Sequence, residues 1–154
     1  MRRTLVAGFG NVLRGDDGFG VEVIRRLEQE SLPQGVTLME IGTGGIRLAQ
    51  ELLSSYDHLI VVDAMRRGGT PGSLYALRVE DVDAATEVDM HTAIPSRALA
   101  IAKTLGGLPP DVHLVGCEPL NVEDLMADLS APVRGAVDPA VQQIRDLIAE
   151  KEMP

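Results

Sequence analysis

Three stretches of this 154-residue chain carry side chains with lone pairs where loops would present them. The first holds Asn11, Asp16 and Asp17; the second ends in Asp63; the third is Asp89-Met90-His91-Thr92. Two carboxylates and an imidazole brought together make an O,O,N donor set for a borderline divalent ion such as nickel or zinc. Three protein ligands leave coordination positions for a substrate or water. Without a metal, two carboxylates held close repel, and one keeps its proton. Either arrangement suits hydrolysis, by metal-assisted water activation or by carboxylate acid–base catalysis. Each residue also has a plain structural use. Asp16 or Asp17 could cap the helix expected just after them. Asp63 could bond loop backbone. His91 could simply be solvated at a helix start.

For these residues to meet, the elements before them must end on one side of a sheet. Leu5 to Gly8 reads as a first strand, followed by a glycine-rich loop through Gly18. Gly20 to Glu30 reads as a helix, with Val21, Ile24 and Leu27 spaced by three on one face. Val36 to Ile41 is a second strand, the Gly42-Thr43-Gly44-Gly45 loop follows, and Ile46 to Leu53 is a second helix. His58 to Asp63 is a continuous aliphatic run, the pattern of a strand buried on both faces. Ser73 to Val79 follows a loop of turn formers so short that the strand could run antiparallel at an edge. Glu80 to Asp89 is acidic and irregular, Ile94 to Leu105 helical, Val112 to Cys117 a fifth strand, and 138–151 a final helix. Strands separated by helices imply right-handed crossovers and a mostly parallel sheet covered on both sides. The expected fold is a single-domain, three-layer α/β/α sandwich with five strands. In such sheets ligands bind outside the carboxyl ends of the strands, where all three stretches fall.

Composition removes several function classes. The formal charge is −9, from 14 basic and 23 acidic residues. That balance argues against nucleic acid, whose phosphates need a Lys/Arg footprint, and against an anionic membrane surface; it would suit a basic patch on a protein partner. One cysteine, Cys117, excludes an internal disulfide or multi-thiolate metal site and reads as a small core residue. The apolar run after Arg2 and Arg3 is too short for a signal-peptide core, and no run is long enough to span a membrane, so the expected compartment is the cytoplasm. Gly8-Phe9-Gly10 resembles the start of a dinucleotide fingerprint, but the third glycine position is Leu13, and Asp16 and Asp17 would repel a pyrophosphate at the helix start. His58 and His113 begin strands at the far end of the sheet and read as surface residues.

The segment Gly8-Phe9-Gly10-Asn11-Val12-Leu13-Arg14-Gly15-Asp16-Asp17-Gly18-Phe19-Gly20-Val21 resembles the N-terminal signature of the [NiFe] hydrogenase maturation endopeptidases. The likeness continues in order through Gly42-Thr43-Gly44-Gly45, Val61-Val62-Asp63-Ala64, Gly69-Thr70-Pro71-Gly72-Ser73, His91, Val115-Gly116-Cys117-Glu118-Pro119 and Leu129-Ser130-Ala131-Pro132-Val133. The resemblance implies an α/β/α sandwich around a twisted five-stranded sheet. It implies a catalytic and metal-contacting set that maps to Asp17, Asp63 and His91; His91 is placed by order and spacing alone. It further implies that the partner is the hydrogenase large-subunit precursor, that its C-terminal extension is removed after nickel insertion, and that the nickel is carried by that substrate, with no organic cofactor. A non-catalytic nickel- or precursor-binding maturation chaperone is the alternative.

Overall fold

The computed structural model describes residues 2–42, 44–80, 93–123, 125 and 127–152. β1 (Thr4–Phe9), β2 (Val36–Gly42), β3 (His58–Ala64), β4 (Leu74–Arg78) and β5 (Asp111–Cys117) form one sheet in the order β2-β1-β3-β5-β4. The pairs β1/β2, β1/β3 and β3/β5 are parallel, and β4 closes the edge antiparallel to β5. β1 and β3 are buried at every position, which is why their sequences run apolar without alternation. Successive residues nonetheless point to opposite faces. Val6, Ile60 and Val62 pack with α1 (Phe19–Leu27) and the last helix, α5 (Val137–Glu152), through Phe19, Ile24, Leu27, Ile144 and Ile148. Leu5, Ala7, Leu59 and Val61 pack with α2 (Ile46–Leu52) and α3 (Ala93–Leu105) through Leu48, Leu52, Ala98 and Ala102. The three layers follow from that partition.

The expected α/β/α architecture and its mostly parallel five-stranded sheet are therefore present, antiparallel edge strand included. Two short elements are additions to the expected set: a 3-10 turn at Gly15–Gly18 and a one-turn helix, α4 (Ala131–Arg134). The acidic stretch expected to be irregular falls largely outside the described residues. The surface reading of His58 is corrected. His58 is fully buried, because β3 is flanked by β1 and β5 along its length. Its Nε2 lies 2.8 Å from Nδ1 of His113, a diagonal neighbour on β5, with the rings edge to face. No helix among the described residues is long and apolar enough to cross a membrane.

Sheet order decides where a ligand can sit. From β1 the chain goes to one side to make β2 and returns to the other to make β3, so the crevice of the switch point lies at the carboxyl ends of β1 and β3. α1 approaches that point unusually closely. A side chain on Gly20 would collide with the carbonyl oxygens of Val62 and Phe9, and one on Gly8 would collide with the Gly20 carbonyl. The neighbours are backbone and cannot swing aside. Gly20→Ala is expected to lower the unfolding free energy by about 1–3 kcal/mol, read as a lower urea midpoint at unchanged m-value.

Candidate functional site

The chain leaves β1 at Phe9 and turns through Gly10, whose φ is +125°. A side chain there would collide with the Asp17 carbonyl and come within 3.7 Å of Asp63 Oδ1. Gly10 thus stands between the two loops that carry Asp17 and Asp63, and only glycine fits. The Asn11 amide donates to Asp17 Oδ2 at 2.9 Å, fixing that carboxylate over the turn. Asp17 is half-buried and lines a crevice of about 100 Å³ with Ala64, Arg66, Pro119 and Val122. Asp63, on the last turn of β3, is buried, and its Oδ1 accepts the Ala64 amide at 2.8 Å. The structure therefore places the turn that carries Asp17 and the carboxylate of Asp63 on either side of Gly10, beyond the carboxyl ends of adjacent strands. His91 lies outside the described residues. Among those described, no group of three or more His, Cys, Asp or Glu side chains is placed to hold a metal ion.

Neighbouring residues in the same motif do different work. The 3-10 turn sets consecutive side chains about 120° apart, so Asp16 points inward. It is 1 % exposed and accepts four hydrogen bonds: Leu120 amide at 2.8 Å, Asn121 amide at 3.0 Å, Ser130 amide at 2.7 Å and Ser130 hydroxyl at 2.8 Å. The helix-capping alternative for Asp16 and Asp17 is corrected: the N-cap of α1 is Gly18, with no side-chain cap. Glu118 plays the matching part on the other side. Its Oε1 accepts the Arg67 amide at 2.8 Å, the Gly69 amide at 3.0 Å and the Tyr75 hydroxyl at 2.7 Å, tying the loop after β3 to β4 and β5. The sequence reading gave Glu118 no role. The available signal was an acid directly after a buried apolar strand, where burial demands partners.

Burial pushes the Asp16 carboxyl up, but the hydrogen bonds from Ser130, Asn121 and Leu120 outweigh it and hold it below its ordinary value. Glu118 is likewise held low against burial, by the Tyr75 hydroxyl and the Arg67 and Gly69 amides. Burial, with the charges of Asp16 and Glu118, drives the Cys117 thiol up to about 12. The only cysteine is then a protonated core residue and no thiolate nucleophile. The second glycine loop is tied beside the first by the Gly10 amide, which donates to the Gly42 carbonyl at 2.8 Å.

The class the structure defines is a three-layer α/β/α protein with acids on the loops at its switch point. Residues 21–147 match the hydrogenase maturation protease family. The hydrogenase expression/formation protein HupD of Rhodobacter capsulatus is 38 % identical over 152 residues, covering 96 % of this chain and 72 % of that protein. The hydrogenase 2 maturation protease of Escherichia coli is 32 % identical over 152 residues, covering 96 % and 92 %. Among solved structures, the hydrogenase maturating endopeptidase HybD from E. coli superposes with a TM-score of 0.86 at 31 % identity, over 97 % of this chain and 94 % of that one. A hydrogenase 2 maturation peptidase from a Thaumarchaeota archaeon gives 0.74 at 35 % identity, over 96 % and 99 %. The chain belongs to the hydrogenase maturation protease family, and it is an endopeptidase.

Because the folded Asp16 carboxyl titrates below its unfolded value of about 3.9, its stabilisation is complete above that value and is lost as pH falls through the folded one. Asp16→Asn leaves donors buried without an anionic acceptor and should cost roughly 2–4 kcal/mol at pH 7. Urea midpoints taken from pH 7 down to pH 2.5 should show the gap between wild type and variant closing below about pH 4.

Proposed function

We propose that this endopeptidase removes the C-terminal extension of a [NiFe] hydrogenase large-subunit precursor after nickel insertion, and that Asp17, Asp63 and His91 meet the nickel that the precursor carries. The observation that supports this most is the placement of the Asp17 turn and the Asp63 carboxylate on either side of Gly10 at the switch point. Family membership supplies the reaction class.

Asp17 suits the task because its own fold engages it lightly among the described residues. Asp17 accepts a single hydrogen bond among the described residues, whereas Asp16 next to it is saturated. An under-coordinated carboxylate is a good hard-to-borderline oxygen donor and an adequate proton acceptor. Nickel arriving with the substrate polarises the scissile carbonyl or its attacking water, and Asp17 or Asp63 accepts the proton that the water loses. Because the metal comes with the precursor, its docking on the acids makes metal loading a checkpoint on cleavage. The work falls in the cytoplasm on this reading, with neither nucleic acid nor membrane as partner, in keeping with the charge of −9.

The second glycine loop suits a polypeptide substrate. Gly42 needs glycine for its φ of +67°. Gly44 has no such φ, and a Cβ there meets nothing within 4 Å among the described residues. Among the described residues neither conformation nor packing calls for glycine at 44, whereas a substrate main chain passing close by would.

Asp17→Asn and Asp63→Asn should each slow shortening of the nickel-loaded precursor by at least ~100-fold without loss of fold, read by mass spectrometry of the precursor C-terminus. Equal rates on nickel-loaded and nickel-free precursor would remove the metal from the mechanism. Gly44→Val should slow the same reaction while leaving the thermal unfolding of the protease unchanged; wild-type processing by that variant would end the close-approach argument.

A further inference from the structure

The net charge is −9, yet four exposed arginines stand on the loops around the site, beside its acids. Arg14 lies in the loop after β1, Arg47 opens α2 just after β2, and Arg66 and Arg67 follow β3 directly. These loops leave three neighbouring parallel strands on the same side of the sheet. All four arginines are exposed. Most other described arginines are matched: Arg2 and Arg78 with Asp111, Arg25 with Glu22 and Glu40, Arg26 with Glu30 and Asp138, Arg145 with Glu30, while Arg3 donates to the Ser54 and Ser55 carbonyls. Among the described residues none of the four rim arginines makes a direct carboxylate ion pair, though the charge of Arg66 helps hold the Glu118 carboxyl low. Arg47 donates only to the Glu40 carbonyl, and Arg67 lies over the Tyr75 ring.

Asp17 and Asp63 lie deeper, at the Gly10 turn, and the other nearby acids are engaged or outlying. Asp16 and Glu118 are buried and committed to amide and hydroxyl donors, and Glu40 is held by Arg25. Glu123 is an exposed acid on the loop after β5. Apolar side chains stand on the same loops: Leu13, Ile46 and Leu120 are 61 %, 64 % and 56 % exposed. Arginines interspersed with exposed aliphatics suit a polypeptide rather than a free anion or a phosphate backbone. A groove of about 350 Å³ bordered by Gly10, Gly42 and Arg47 leads outward from the Gly10 turn.

We infer that this rim is a docking surface for an acidic, extended segment of the hydrogenase precursor, the polypeptide flanking the bond to be cut. The inference rests on the function proposed above. Guanidinium forks pair with Asp and Glu carboxylates in two-point contacts that fix direction as well as position. The acidic total of the protease disfavours the same segment elsewhere, and the rim arginines attract it. The rim sets where the chain lies; the acids at Gly10 act on the bond it presents.

The test uses steady-state processing of nickel-loaded precursor by the full-length protease. Arg14→Glu, Arg47→Glu and Arg67→Glu should each raise KM by about 5–10-fold at low salt, with kcat within about 2-fold, the size expected of exposed charge contacts. Arg145→Glu, the same charge change on α5, should leave KM within about 2-fold. Precursor carrying Lys in place of Asp or Glu beside the cut bond should restore KM with the Glu variants. Rim variants with wild-type KM and wild-type melting curves, or a precursor lacking acids beside the cut bond, overturn the inference. If wild-type protease cuts no precursor, the functional reading fails by itself. Retention of nickel-loaded precursor on immobilised protease, weakened by the Arg→Glu changes and not by Arg145→Glu, then still decides the rim.

Discussion

The site depends on one buried anion. Asp16 sits with almost no solvent contact and gathers four donors from the segment between β5 and α5. A carboxylate in that position is tolerable only because every donor is aimed at it. The bonds join chain positions more than a hundred residues apart. They fasten the loop after β1 to the loop after β5, and so hold the turn that displays Asp17. Glu118 makes the equivalent tie from the end of β5 to the loop after β3. The crevice between these ties is bounded by loops that would otherwise be free to splay.

This explains how four acids occupy one edge of the sheet without mutual defeat. Two are saturated with hydrogen bonds and held ionised below the ordinary carboxylate range. Their charge is spent on amides and hydroxyls and is not available to a ligand. Asp17, adjacent in sequence to Asp16, keeps one described hydrogen bond and faces a small crevice with Arg66. The difference between the two aspartates is a rotation of about 120° in a 3-10 turn. The same anions raise the Cys117 thiol, so the geometry that prepares carboxylate chemistry also disables thiol chemistry.

The close approach of α1 to the sheet is the second determinant. With no side chain at Gly8 or Gly20, helix and strand meet backbone to backbone. Any greater separation would move the start of α1, and with it the 3-10 turn, away from the end of β3. Gly10 then brings the two loops to the distance at which Asp63 Oδ1 lies within reach of the turn. Charge follows a comparable division. The acidic total describes the whole chain, while the loops after β1, β2 and β3 bear exposed arginines without direct ion pairs among the described residues.

The fold was legible from local pattern. The unbroken aliphatic run at 58–63 announced a central strand, because a strand covered on both faces has no solvent side to alternate toward. The three-residue spacing of Val21, Ile24 and Leu27 announced α1, and the short loop before Leu74 announced the antiparallel edge. The long glycine-and-aspartate motif named the family and drew attention to Asp17, and the end of the aliphatic run drew attention to Asp63. Sequence alone could not distribute the roles of Asp16 and Glu118, or see that His58 is buried against His113. Those depend on partners far away in the chain, whose donors meet the acids only after the sheet order is set. Periodicity and spacing are properties of neighbours, and they determined elements, order and candidate residues. Which acid is satisfied, which stays available and where the arginines gather were decided by tertiary structure, because hydrogen bonds and charge are shared in space without regard to separation along the chain.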